Sequence, residues 1–400
     1  MKVLWLVSSL EQKGGGERFV LEARAAIQAL GHDAQIVCDR LGAQASFDGR
    51  YDLSKVICTA QRPDGGTGYV GHAWQKLRGV IALFGIFRQF RPDLVICQSE
   101  FDAIRLYLLS RFCKFTYRVF VFGQMYQFDT DISRYAFVFR RHLETIVASR
   151  PGYRTTVKMP PPTLSALTMI VNEVVSLLKY RALRAADQVF TLSNQVRWEV
   201  SLLYRRDAVV CRAAFDASYI DMAAIEQPRA VGRPGRLLSV CRLVDKKRVD
   251  LTISAFSASS FPGSLVIIGT GPAEDRLKAL ASASRRAADI QFLGAVDDGM
   301  LQRQLAIADC FISMDIGDFD ISVVEAMGKG VRVLLPTDFD LSAFGADFRG
   351  ALCVPPQSQA LAAAIDGLAQ MAPPDRGNLL ALRDLTWQAL ARSCVDGLSH

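Results

Sequence analysis

Apolar runs and stretches of helical apolar spacing alternate along this chain from its first residues. Lys2 to Leu10 is a nearly continuous apolar run, the pattern of a parallel strand covered on both faces. Gly14-Gly15-Gly16 follows. Glu17 to Leu30 then places Phe19, Val20, Ala23, Ala26, Ile27 and Leu30 at helical spacing. Gly31-His32 ends that helix, and Ala34 to Cys38 reads as a second strand. The polar, Gly-rich Tyr51 to Gly71 predicts a loop. Ala73 to Phe90 predicts a helix, Leu94 to Cys97 a strand, Phe101 to Phe112 a helix and Tyr117 to Phe122 a strand. This alternation implies a doubly wound parallel sheet.

From Gln124 to Met159 the pattern breaks into an Arg- and aromatic-rich segment that Pro160-Pro161-Pro162 closes. It is either an insertion with a solvated basic face or a surface for an acceptor or a membrane. A long amphipathic helix, Leu164 to Leu183, a strand, Asp187 to Leu192, a helix capped by Ser193 and a short strand, Val209 to Cys211, complete an N-terminal unit over 1–215, with the irregular insertion at 124–162. Mixed composition over 216–235 predicts a linker. Strands Arg236 to Cys241, Ser264 to Ile268, Ile290 to Leu293 and Cys310 to Met314 then alternate with helices Val249 to Ala258, Glu274 to Ala283 and Met300 to Ala306. These predict a second α/β unit over 236–375, followed by closing C-terminal helical sequence over 376–400. The fold class is therefore α/β, with two Rossmann-like doubly wound domains facing across a cleft.

Composition narrows this picture. With 400 residues, half of them apolar, the chain can bury two large sheets. Its densest apolar run, Gly79 to Phe87, falls far short of the roughly eighteen residues of a membrane span. The N-terminus lacks the apolar core and small-residue cleavage site of a signal peptide. Nine cysteines without a C-x-x-C pair point to reduced thiols in a cytoplasm. The formal charge of +7 and positive mean hydropathy suit contact with the inner face of an anionic membrane. No nucleic-acid-binding signature accompanies that charge, so nucleic acid is not an expected partner.

The chemistry gathers where strands end. Asp315 to Pro336 reads as an acidic, Gly-containing loop, a short helix opened by Ser322 with Glu325 in its first turn, and a strand from Val331 to Leu335. Amides at a helix start attract anions, and a carboxylate beside them accepts hydrogen bonds from sugar hydroxyls. Ser322 and Glu325 also fit a capping box, so a structural reading stands beside the functional one. Arg242 and Lys247 follow one strand and Gly269 and Gly271 another, at the same sheet edge. Two cations beside helix starts suit a diphosphate.

CRLVDKKRVDL, IIGTGPAEDRL, FLGAVDDGML and VVEAMGKGVRVLLP together resemble the C-terminal half of family 4 retaining nucleotide-sugar glycosyltransferases of the GT-B fold. GGGERFVLEARAAIQALGH is similar to their first Gly loop and helix, and AADQVFTLSNQVRWEV to their last N-domain strand and helix. The resemblance covers most of the chain except Gln124 to Met159. It implies that Arg242 and Lys247 neutralise the donor diphosphate and the charge that develops as it leaves, and that Glu325 holds the ribose. It implies further that backbone around Asp318, Phe319, Asp320, Ile321 and Ser322 meets phosphate or sugar, that Gly294 to Val296 meets the base, and that Gly15 and Gly16 close over the diphosphate. A nucleotide sugar and a glycan or lipid-linked acceptor are the implied partners, in polysaccharide biosynthesis.

The chain departs from that family at three places. The first Glu of the family's spaced pair falls at Gly317, leaving Asp315 or Asp318 to meet the transferred sugar. No His follows the strand near Phe122-Gly123, and the Asn-Gly before the linker is replaced around Arg212 to Phe215. Three D-x-D triplets, Asp129/Asp131, Asp318/Asp320 and Asp338/Asp340, prove little by themselves, because this acid content yields roughly one or two by chance. The resemblance implies cationic side chains in place of a metal, so no metal or other cofactor is expected. A degenerate donor-binding homologue and a GT-B sugar-nucleotide epimerase or hydrolase remain the rival readings.

Overall fold

The computed structural model describes residues 1–11, 14–47, 49–59, 69–122, 166–212, 214–226, 235–315, 319–337, 339 and 349–396. The Arg-rich segment at 124–162 lies outside them, as do Gly317 and Asp318.

Two parallel sheets organise the chain. The first contains β1 (Lys2–Leu10), β2 (Asp33–Leu41), β3 (Val56–Cys58), β4 (Leu94–Cys97), β5 (Thr116–Val121), β6 (Gln188–Thr191) and β7 (Val209–Val210), in the order β3-β2-β1-β4-β5-β6-β7. Its helices are α1 (Gly15–Ala29), α2 (Tyr69–Phe90), α3 (Glu100–Leu109), α4 (Ala166–Ala185) and α5 (Asn194–Tyr204). A short helix, α6 (Met222–Glu226), leads to the second sheet. That sheet comprises β8 (Gly235–Val240), β9 (Gly263–Ile268), β10 (Ile290–Gly294), β11 (Cys310–Ile312), β12 (Arg332–Pro336) and β13 (Ala351–Val354), ordered β10-β9-β8-β11-β12-β13. Its helices are α7 (Val249–Ala258), α8 (Glu274–Ser282), α9 (Asp298–Ile307), α10 (Ile321–Gly328), α11 (Ser358–Asp366) and α12 (Arg376–Arg383). The last helix, α13 (Trp387–Asp396), returns to the first sheet and packs on α1.

Each sheet is covered on both faces, and β1 shows why its sequence is apolar throughout. Val3, Trp5 and Val7 face one core with Phe19, Ile27 and Trp387, while Leu4 and Leu6 face the other with Leu83, Leu106 and Val200. A parallel strand has no solvent face, so the usual apolar–polar alternation disappears. In the second sheet, Leu238 and Val266 pack with Val324 and Leu382, and Leu237 and Leu265 with Phe256 and Leu361.

Several local expectations are revised. The loop expected from Tyr51 to Gly71 contains β3, and α2 already begins at Tyr69. β13 was not anticipated, because its residues are only half covered at the sheet edge and give no clear period. Within the segment expected to link the units, the described residues form a 3-10 turn, Ala217–Tyr219, and α6. Helix α10 is capped by Asp320, whose carboxylate accepts from the Ser322 amide at 3.0 Å. Ser322 therefore lies inside the helix rather than opening it, and Glu325 sits beyond its first turn, so the capping box does not form.

Candidate functional site

Loops leaving adjacent strand ends bring the candidate residues of the second sheet together. Arg242 to Lys247 follow β8, Gly269 to Gly271 follow β9, Gly294 ends β10, and Ser313 to Asp315 follow β11. The first three loops are tied by backbone bonds: Leu243 N donates to Thr270 O at 2.9 Å, and Gly269 N to Gly294 O at 2.8 Å. A side chain at Gly269 would collide with the Cys241 carbonyl, and one at Gly271 with that of Leu243. These two glycines let the β8 and β9 loops touch; Gly269 also has φ of +128°, which favours glycine.

The charged groups there are paired. Lys247 Nζ donates to the Asp315 carboxylate, with side-chain exposures of 19% and 7%. Burial alone would make the Lys247 ammonium easier to deprotonate, but the carboxylates of Asp315 and Asp320 outweigh it and push its pKa up. Asp320 accepts from Ser313 Oγ at 2.9 Å, and burial raises its own pKa against the pull of Lys247. Arg242 is exposed, and Val296 is half-buried on the core behind the β10 loop.

The first sheet reaches this place through the residues after β1. Gly14 precedes α1, and Gly15 lies against α10, with the Ile321 side chain 3.9 Å from where a Cβ would stand. Phe319 is half-buried between the apolar cores of both sheets. Burial raises the pKa of Glu17, and the charges of Arg242 and Lys246 partly offset that rise. Arg18 Nη1 donates to Glu325 Oε1 at 2.6 Å, their side chains 13% and 2% exposed. Arg50, in the stretch after β2, donates to Asp298 of α9 at 2.5 Å. The carboxyl edges of the two sheets therefore face one another.

Glu325 is strongly perturbed. Burial lifts its carboxyl to about 7, and Arg18 recovers only part of that; Asp298 and Asp320 add repulsion. Burial also disfavours the charged Arg18, yet Glu325 outweighs it and raises the guanidinium's pKa. The two ends of the pair thus read oppositely. The carboxyl end governs behaviour near neutrality, because a guanidinium does not titrate there.

Sequence reasoning drew attention to the second-sheet residues at this edge but not to Arg18, Arg50 and Tyr219. A signal for Arg18 was present: a cation in the opening turns of a helix opposes the helix dipole, which calls for a nearby carboxylate. Opposite, at the carboxyl edge of the first sheet, Arg105 bridges Asp39 and Asp102 at 2.8 and 3.0 Å. Ser8 and Ser99 also donate to Asp102.

Among the described residues no cluster of three His, Cys, Asp or Glu could hold a metal. The triplets Asp129/Asp131 and Asp338/Asp340 lie outside those residues, as does Asp318 of the third. All nine cysteines are free thiols, and no described helix is long and apolar enough to cross a membrane.

Comparison with known proteins agrees with this architecture. Residues 14–214 match the model of the glycosyl transferase 4-like domain, and residues 223–376 that of the glycosyl transferases group 1. No curated sequence matches significantly. Among solved structures, sucrose-phosphate synthase from Thermosynechococcus elongatus is similar with a TM-score of 0.70 at 16% identity, over 98% of this chain and 96% of that one. HepE of Anabaena in complex with UDP-glucose gives 0.66 at 15% identity, over 99% and 98%. The pneumococcal O-GlcNAc transferase GtfA in complex with UDP and GlcNAc gives 0.63 at 10% identity, over 99% and 97%. At such identities the likeness is one of fold.

Proposed function

We propose a reaction for a chain that belongs to the family 4 glycosyltransferases of the GT-B fold. It moves a sugar with retention from a nucleotide-diphosphate donor to a glycan or lipid-linked acceptor in polysaccharide biosynthesis. The observation that carries this reading is the convergence of Lys247, the β9 glycines and Glu325 at one sheet edge, opposite the Gly14–Gly16 loop.

The diphosphate lies against Arg242 and Lys247, whose charges stabilise it as it departs. Glu325 accepts hydrogen bonds from the ribose hydroxyls. Gly15 and Gly16 close from the other side, where the absence of side chains leaves room for phosphate oxygens. The departing diphosphate itself is suited to take the acceptor proton, on the face from which the acceptor attacks. Asp315, held on Lys247, or Asp318 is suited to meet the transferred sugar in place of the family's first Glu. The same cations supply the electrostatics that a metal would, so transfer proceeds without one. HepE and GtfA, whose structures hold UDP or UDP-glucose, favour a uridine nucleotide.

On the acceptor side, the Asp39–Arg105–Asp102 cluster offers polar groups to sugar hydroxyls. Helix α4 exposes Ile170, Val171, Val174 and Leu177 by 48 to 60%, an apolar face suited to the surface of an anionic membrane carrying a lipid-linked acceptor. That reading puts the protein in the cytoplasm, at the membrane's inner face.

The test measures release of UDP from UDP-sugars with and without membrane extract, for wild type and Arg242→Ala. Acceptor-dependent release that falls at least a hundredfold in the variant supports the proposal. Acceptor-independent turnover would point to an epimerase or hydrolase, and binding without turnover to a non-catalytic homologue.

A further inference from the structure

One charged pair joins the two sheets at the centre of the site, and it leaves its cation half used. Arg18 Nη1 is committed to Glu325, whereas Arg18 Nε and Nη2 are buried without a partner among the described residues. The Tyr219 hydroxyl, on a residue only 2% exposed, is likewise unpartnered, and its phenol feels the charges of both Glu325 and Arg18. A buried donor without a partner forfeits its hydration with nothing in return. Arg18 also stands in the opening turns of α1, where the helix dipole opposes a cation. Three unsatisfied polar atoms in one place therefore call for a polar ligand.

That ligand's chemistry follows from the neighbours. Arg18 adjoins the Gly14–Gly16 loop, whose amides at the start of α1 attract an anion. A guanidinium fork with two free donors matches a phosphate bidentately. Glu325 is nearly inaccessible, with Arg18 held on Oε1. A ribose that reaches this carboxylate must displace the guanidinium.

Building on the donor reading above, we propose that Arg18 is a donor-binding residue stored on Glu325 in the free protein. The ribose hydroxyls take its place on the carboxylate, and the released guanidinium turns to the diphosphate. Binding is then an exchange of partners: Glu325 trades a cation for two hydroxyls, and Arg18 trades a carboxylate for phosphate.

The experiment titrates uridine and UDP, and guanosine and GDP, into wild type, Arg18→Gln and Arg18→Lys by calorimetry or ligand-observed NMR. In Arg18→Gln, nucleoside affinity should hold or rise, because Glu325 has lost its internal competitor. Nucleoside diphosphate affinity should fall at least tenfold. Arg18→Lys keeps a cation to hold the fold but lacks the fork, and should lie between the two for the diphosphate. Parallel changes for nucleoside and diphosphate in both variants would show a structural pair and overturn this inference alone. Failure of wild type to bind either diphosphate would overturn the donor reading, and this inference with it.

Discussion

Replacing Lys247 by Met removes the ammonium but keeps the length of its apolar stem. Asp315, 7% exposed at its side chain, then loses its cation while Asp320, also buried, remains close in charge. Breaking a fully buried pair costs about 3–5 kcal/mol, because the surviving ion stays uncompensated. Lys247 retains 19% exposure, so a cost of about 2–3 kcal/mol is expected. For a cooperative unit the size of one sheet and its helices, that lowers Tm by about 5–10 °C. Lowering the pH cannot substitute for the mutation. The folded-state pKa of Lys247 is raised, so its contribution is fully present below the ordinary value of 10.5 and is lost only as pH rises above it.

The decisive measurement adds Asp315→Asn. The double variant has neither charge, and most of the lost Tm should return, giving a coupling energy of about 2 kcal/mol in the double-mutant cycle. Transfer should not return, because the developing charge on the leaving diphosphate still lacks its cation. Loss of one such stabilising group costs about a hundredfold to a thousandfold in kcat. Thermal melts by circular dichroism and UDP release on the four proteins separate the two effects. A double variant that recovers turnover together with stability would refute the argument and reduce Lys247 to a support for the fold.

Three further outcomes follow from the same geometry. Gly269→Ala should destabilise by about 3 kcal/mol or more, since φ is +128° and a Cβ meets the Cys241 carbonyl; a melt within 2 °C of wild type would contradict the packing of the β8 and β9 loops. Nucleoside binding should weaken as pH falls through about 7, where Glu325 gains a proton and loses acceptor capacity, and Glu325→Gln should be weak at every pH. In the free protein the sign reverses: the folded-state pKa of this carboxyl lies above its ordinary 4.5, so its contribution to stability is full below 4.5 and lost as pH rises through about 7. Val174→Asp with Leu177→Asp should reduce co-flotation with vesicles containing anionic lipid while leaving Tm unchanged; equal flotation would remove α4 from any membrane contact.

The sequence made the two-sheet architecture legible because parallel strands inside the sheets, such as β1, β9 and β12, are covered on both faces and leave apolar runs. Short or edge strands escaped for the same reason: β3 has three residues, and β13 is only half covered. Positions after strand ends were legible too, since they depend on local order alone. What could not be read was which residues of the first sheet meet them. Arg18 lies 307 positions from Glu325, and Arg50 lies 248 from Asp298. Neither pair has a local period, and each depends on how the two sheets face. The end of α10 illustrates a smaller failure, in which Ser322 and Glu325 satisfied the pattern of a capping box while Asp320 won the cap. The Asp320 carboxylate reaches both Ser313 Oγ and the Ser322 amide, two partners where the serine hydroxyl would have had one.

The contacts that hold the sheets together differ in strength, and that difference bears on how a donor enters. Arg50 and Asp298 are 33% and 61% exposed at their side chains, so their pair contributes less than about 1 kcal/mol. Arg18 and Glu325 are desolvated, but the carboxylate loses more to burial than it recovers from its partner. The exposed pair therefore holds the sheets together with little energy, and the buried one leaves two donors unused among the described residues. A nucleoside diphosphate entering here meets the Arg18–Glu325 pair and offers hydroxyls and phosphate oxygens to the same atoms. Its binding would then replace one pairing by another, which is why discrimination between nucleoside and diphosphate at Arg18 is the measurement most sensitive to how this site works.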